Sequence, residues 1–173
     1  MADMTLTFSD EALLLKCREI ELLSKDLYEF FAELYADNEE AVHLWRKTAE
    51  EEQGHAEQFT MALMLRDGIS AQMNVDPGRV ESILSQLRTV MEKVKVDPPE
   101  LKDALLSCIK LEKYLAEFHL VCVVIFEDNS CKNLFNALMA SDQGHIEALQ
   151  AAYDNLGGDQ AECVQDSMRT EPA

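Results

Sequence analysis

Apolar residues return every three or four positions along most of this chain and nowhere alternate with period two, so the pattern predicts helices and no strands. The first helix runs from Ser9, its cap, to about Ala36, with Asp10 and Glu11 in its first turn and an inward stripe of Leu14, Cys17, Glu21, Ser24, Tyr28, Phe31 and Tyr35. Asp37 and Asn38 make a short turn. Asn38 caps a second helix to Gly68, striped by Trp45, Thr48, Glu52, His55, Phe59 and Ala62. Asp76-Pro77 opens another helix to about Lys95, with Val80, Ile83, Leu84, Leu87, Val90 and Met91 at helical spacing. Asp97-Pro98-Pro99 then starts a helix striped by Leu101, Leu105, Cys108, Glu112, Leu115, His119, Cys122 and Phe126. Asn129-Ser130 is expected to break it. The last helix reaches about Leu156, turning Cys131, Phe135, Leu138, Asp142, His145, Leu149 and Ala152 inward, and Gly157-Gly158 ends it.

Four long helices with one more between the second and third predict an all-α four-helix bundle in up-down-down-up order. The additional helix lies in the long crossover that two parallel neighbours require. Residues 1–158 form this single domain, and the polar, aperiodic stretch 159–173 is expected to be disordered.

Polar residues interrupt these apolar stripes in a repeated way. Glu52-Gln53-Gly54-His55 on the second helix returns as Asp142-Gln143-Gly144-His145 on the last, and a carboxylate and an imidazole three residues apart share one helix face. The surroundings repeat too: Leu44 and Trp45 match Leu134 and Phe135, while Leu14, Cys17 and Glu21 match Leu105, Cys108 and Glu112. Two similar helix pairs within one domain imply an internal duplication. The duplication brings Glu21, Glu52, Glu112 and Asp142 toward one interior with His55, His145 and His119, and no Lys or Arg stands on a stripe to offset them. Ionised carboxylates buried together cost several kcal/mol each through desolvation, by roughly the magnitude known for buried ions. Two divalent cations would balance four such charges, leaving the neutral histidines as further donors. Taken singly, an inward Glu more often snorkels to solvent and an inward His more often satisfies a core hydrogen bond. A Glu on two helices and a carboxylate-x-x-His on two others is a different matter, because it is a chelating set.

Composition narrows the rest. The net charge of −18 over 173 residues repels phosphate backbones and anionic membranes, so neither nucleic acid nor a membrane is an expected partner. No apolar run approaches the roughly 18 residues of a membrane span. The N-terminus has no basic cluster followed by an apolar core, so a cytoplasmic location is expected. The five cysteines contain no Cys-x-x-Cys pair, which excludes a rubredoxin-type or zinc-ribbon site and suits small core residues. The segment Val121 to Phe126 is apolar all round and predicts a second packing partner, either a second copy, most simply in a two-fold homodimer, or the crossover helix of the same chain.

Over residues 10 to 156 the chain resembles the rubrerythrin family of the ferritin-like superfamily. The resemblance rests on Glu21 with Tyr28 one heptad later, on Glu52-Gln53-Gly54-His55, on Glu112 and on Asp142-Gln143-Gly144-His145. It implies a ferritin-like bundle holding two Fe ions, with Mn or Zn as substitutes. In that bundle Glu52 and Asp142 would be terminal or chelating ligands, Glu21 and Glu112 would bridge or flank, and His55 and His145 would each bind one metal. Tyr28 would take a catalytic role as hydrogen-bond donor to a ligand carboxylate. The implied activity is reduction of hydrogen peroxide, with dioxygen as the other possible oxidant, by electrons from an external protein such as a rubredoxin. The chain departs from the family at Asp142, where a glutamate is usual, at His119, where a tyrosine often stands, and at Leu115, where rubrerythrins carry a further carboxylate. Those departures motivate the alternative of an iron-binding or iron-handling protein with little turnover, and a bundle without metal is the third reading.

Overall fold

The computed structural model describes residues 8–64, 76–123, 129, 133, 136, 140 and 142–156, leaving aside the side chains of 8–10 and 120–123. Among them there are helices and no strands: α1 (Phe8–Leu34), α2 (Glu39–Met64), α3 (Pro77–Val96), α4 (Leu101–Val123) and a fifth helical stretch, α5, over residues 142–156. No described helix is long and apolar enough to cross a membrane.

Local chemistry sets the helix ends. The Asn38 side chain accepts a hydrogen bond from the Ala41 amide at 2.9 Å, satisfying a donor that the first turn of α2 leaves unpaired. Asp76 does the same for Gly78 at 3.0 Å, and Pro77 occupies the first turn of α3, where its missing amide costs nothing. Two boundaries differ from expectation. Ser9 lies within α1 and not ahead of it, and Asp97 closes α3 through its amide to the Lys93 carbonyl, so α4 begins only after Pro98 and Pro99. Pro99 disfavours helical backbone in the residue before it, which separates the two helices. Asn129, expected as a breaker, is itself helical. The expected end of the second helix at Gly68, the apolar run at Val124 to Phe126, Ser130, Cys131, Phe135, Leu138, Gly157-Gly158 and the tail lie outside the described residues.

The predicted stripes form the interior. Leu14, Cys17, Ile20 and Leu13 of α1 pack with Phe59 of α2, with Val80, Ile83, Leu84 and Leu87 of α3, and with Leu115 and Phe118 of α4. A second apolar cluster joins Leu27, Tyr28, Phe31 and Ala32 of α1 to Trp45 and Ala49 of α2, to Val94 of α3, to Leu105 and Cys108 of α4, and to Leu149 of α5. The helix pair α1 and α2 is a hairpin closed by the turn at residues 35–38, and α3 lies along α1. Lys16 pairs with Glu81 and Arg88 with Glu19, so α3 advances in the same direction as α1. Val90, placed on the α3 stripe by spacing, is 40% exposed because α3 has one bundle face to cover and not two.

Candidate metal centre

Between the two apolar clusters every helix except α3 contributes acid or imidazole. Glu21 from α1, Glu52 and His55 from α2, Glu112 and His119 from α4, and Asp142 and His145 from α5 are all buried, at 0–3% exposure. Each sits where the helical period demands an inward side chain, so the repeat that keeps the core apolar also gathers these polar groups. Polar groups this deep are stable only with partners.

The cluster resolves into two groups of three ligand atoms, each group lying within 4.8 Å: Glu21, Glu52 and His55, and then Glu52, Glu112 and His145. Glu52 belongs to both. Its Oε2 lies 3.1 Å from His55 Nδ1 and its Oε1 lies 3.2 Å from His145 Nδ1, so one carboxylate faces both imidazoles, one oxygen each. His55 Nδ1 is also 3.6 Å from Glu21 Oε2, and His145 Nδ1 is 3.3 Å from Glu112 Oε2. The two imidazole centroids are 5.5 Å apart. Buried carboxylate and imidazole groups so arranged have the geometry to hold a metal ion.

Two oxygens test that fit. Glu21 Oε2 and Glu52 Oε1 are buried and accept no hydrogen bond from any described residue. Leaving such an atom unmet costs about 1–3 kcal/mol, and more when it is charged. Both oxygens belong to residues of the ligand groups, Glu21 Oε2 beside His55 and Glu52 Oε1 beside His145, and a cation in each group would meet one of them.

Without a cation, protons take its part. Burial disfavours charged imidazole, but the Glu21 and Glu52 carboxylates beside it favour the charged form more strongly and raise His55 to about 9. Burial likewise lowers His145, yet Glu112 and Glu52 raise it to about 11. Burial pushes the Glu21 carboxyl up, while the positive charge and hydrogen bond of His119 more than offset this and hold it at about 2. Glu112 is pushed up by burial and by its neighbour Glu52. Acid and imidazole groups therefore share protons within the cluster.

The remaining side chains arrange these ligands. The Tyr28 hydroxyl, fully buried, donates to Glu112 Oε1. Burial and the nearby Glu112 charge keep it protonated by raising its pKa well above the usual value. His119 lies 2.8 Å from Glu21 Oε1 through Nε2 and 2.7 Å from Asp142 Oδ2 through Nδ1. Of the six acids and histidines expected as ligands, the structure therefore brings five into the two groups, while Asp142 lies against His119. The shorter Asp side chain and the imidazole filling the space toward Glu21 account for that placement. Glu51 was not foreseen. Its Oε2 lies 2.8 Å from His145 Nε2, and the side chain is 36% exposed. One residue from Glu52 on the helix, it is turned by roughly 100° from the inward stripe, so an amphipathic reading treats it as a solvated acid.

Compared with protein-family models, with curated proteins and with solved structures, the chain matches none of them.

Proposed function

We propose that this chain is a non-haem di-iron carboxylate protein, a rubrerythrin-like oxidoreductase that reduces hydrogen peroxide with electrons from an external donor. The observation that carries the reading is Glu52, whose two oxygens face two separate imidazoles at 3.1 and 3.2 Å and so link two three-residue ligand groups. Hard carboxylate oxygens with imidazole suit iron, with manganese or zinc as substitutes. Glu21 and His55 would complete one position, Glu112 and His145 the other, with Glu52 common to both. When bound, the metal pair would supply the two electrons that peroxide reduction needs. Tyr28 would orient Glu112 by its hydrogen bond, and the apolar clusters would keep bulk water from the site.

An up-down-down-up, ferritin-like order of α1, α2, α4 and α5 is part of this reading. It is supported by the α1 to α2 hairpin and by α3 advancing with α1. It is supported also by Glu112 meeting Tyr28 while His119 meets Glu21, a reversal of direction between α4 and α1. A cytoplasmic two-fold dimer is proposed with it, and sedimentation of the metal-loaded protein tests the dimer.

A second reading, iron handling with little turnover, is favoured by one contact. Asp142 is held by His119 at 2.7 Å, which leaves one carboxylate fewer for the metals than the repeat offers. Anaerobic titration of metal-free protein with Fe(II) decides. Two equivalents bound and rapid oxidation by peroxide support the oxidoreductase, whereas two equivalents oxidised slowly support handling. Absence of binding rejects both.

A further inference from the structure

The metal ligands leave one feature of the core unused: a run of aromatic rings that starts on a ligand and ends at the surface. Tyr28, hydrogen-bonded to Glu112, stacks on Trp45 with centroids 5.7 Å apart and planes 12° from parallel. Trp45 packs on Phe31 at 5.2 Å, and Phe31 on Tyr35 at 6.0 Å. These separations fall within the roughly 4.5–7 Å range of direct ring contact. Tyr35 stands half-buried at the turn between α1 and α2, and its hydroxyl donates to the Pro99 carbonyl at 2.8 Å.

Filling a core does not require this selection. The chain has a single Trp and four Tyr, and the Trp with two of the Tyr falls in this one array, while Tyr114 and Tyr153 lie under Arg79 and Lys102 instead. Trp and Tyr are the side chains most readily oxidised by one electron, and electron transfer between rings in contact is fast because tunnelling decays steeply with separation. The Trp45 indole nitrogen, buried, has no hydrogen-bond acceptor among the described residues, so the indole would keep its proton on giving up an electron.

We propose that Tyr28, Trp45, Phe31 and Tyr35 form a one-electron conduit between the turn joining α1 and α2 and the carboxylate-histidine cluster. The proposal rests on the di-metal reading above. Hydrogen peroxide takes two electrons and two protons to give two waters, and both electrons come from an external one-electron reductant at the Tyr35 end. A ring that gives an electron inward is refilled from the next ring outward, so the chain is not consumed. As Tyr28 loses its electron, its hydroxyl proton moves to Glu112 Oε1, and it returns when Trp45 refills the ring. Trp45 keeps its proton throughout, Phe31 bridges without being oxidised, and Tyr35 exchanges its proton with water.

The test uses the Fe(II)-loaded full chain, with metal stoichiometry measured on every sample. Excess peroxide without reductant should yield an organic radical by freeze-quench electron paramagnetic resonance, with hyperfine structure that ring-deuterated tyrosine alters. Tyr35→Phe, which keeps the ring and loses only the hydroxyl, should stop the radical at Trp45 or Tyr28 and so change the hyperfine pattern, Trp45→Phe should confine it to Tyr28, and Tyr153→Phe should leave the pattern as it is. In anaerobic stopped flow, re-reduction of the oxidised protein by reduced methyl viologen should slow at least about tenfold in Tyr35→Phe and Trp45→Phe. Normal metal content with no radical, or unchanged re-reduction in both variants, would overturn the conduit and leave the metal reading standing. Failure to bind metal in the unaltered chain would overturn both.

Discussion

Glu52 is the residue on which the candidate centre turns, because each of its oxygens answers a different histidine. Glu52→Ala is therefore expected to abolish binding at both positions, while His145→Ala leaves Glu21, Glu52 and His55 and lowers Fe(II) stoichiometry from two equivalents to one. Glu39→Ala, at an exposed position, should change neither. Glu51 meets His145 at Nε2, and a carboxylate there would fix that nitrogen as the protonated one and present Nδ1, on the Glu52 and Glu112 side, to a metal. Glu51→Ala should weaken the metal at His145 by about 10- to 100-fold, with the His55 position unaffected in the same titration.

The protons make a further prediction with a definite sign. In the metal-free chain His55 and His145 titrate at about 9 and about 11, above their ordinary 6.5. Their stabilisation is complete below pH 6.5 and is lost as pH rises through those values. Glu112, also raised, loses its contribution in the same direction, whereas Glu21, held at about 2, loses its own only in strong acid. Thermal stability of the metal-free protein should fall between pH 7 and pH 9.5. Metal loading should flatten that fall and should itself tighten with pH, because His55 and His145 must release protons to bind it. A metal-free protein equally stable across that interval would show that the imidazoles are not charged.

At the scale of elements, helix ends and helix interiors respond differently. Asn38→Ala removes the acceptor that meets the Ala41 amide and should cost about 1 kcal/mol of stability. Gly54 and Gly144 sit inside helices, and a Cβ at either meets nothing among the described residues within 4 Å. Gly54→Ala and Gly144→Ala should each stabilise by about 0.5–1 kcal/mol, since glycine loses more backbone freedom on entering a helix. Thermal melts of the metal-free variants check all three, and destabilisation by either alanine would mean that the helix faces beside the candidate ligands are more crowded than they stand here. The element α3 has another role. Its ion pairs with α1, Lys16 with Glu81 and Glu19 with Arg88, are exposed and individually weak. Val80, Ile83, Leu84 and Leu87, buried against α1 and α4, hold it in place.

The described residues form two apolar clusters with a layer of carboxylates and imidazoles between them, so folding draws ionisable groups away from water. Any cation that binds the folded chain and not the unfolded one stabilises it, by roughly 2.7 kcal/mol at a free concentration one hundred times the dissociation constant. Chelation should accordingly lower the melting temperature, and a melting temperature indifferent to Fe(II), Mn(II) and Zn(II) would argue against a metal-built interior. Much of this organisation was legible beforehand. Helical spacing with an acid or imidazole in place of a core residue marked Glu21, Glu52, His55, Glu112, Asp142 and His145 as inward, and all six are buried, because a helix of fixed pitch leaves an inward position no other direction to point. Asn38 and Asp76 announced their caps through side chains that reach only the next turn. These are properties of a few consecutive residues, and the sequence by itself determined them. Which inward groups meet was decided across helices, between residues far apart in the chain. Glu52 came to face both histidines, His119 to hold Asp142 against Glu21, the outward-turned Glu51 to reach His145, and four aromatic rings to close into one array, because the packing of whole helices sets distances between side chains that spacing along a single helix does not contain.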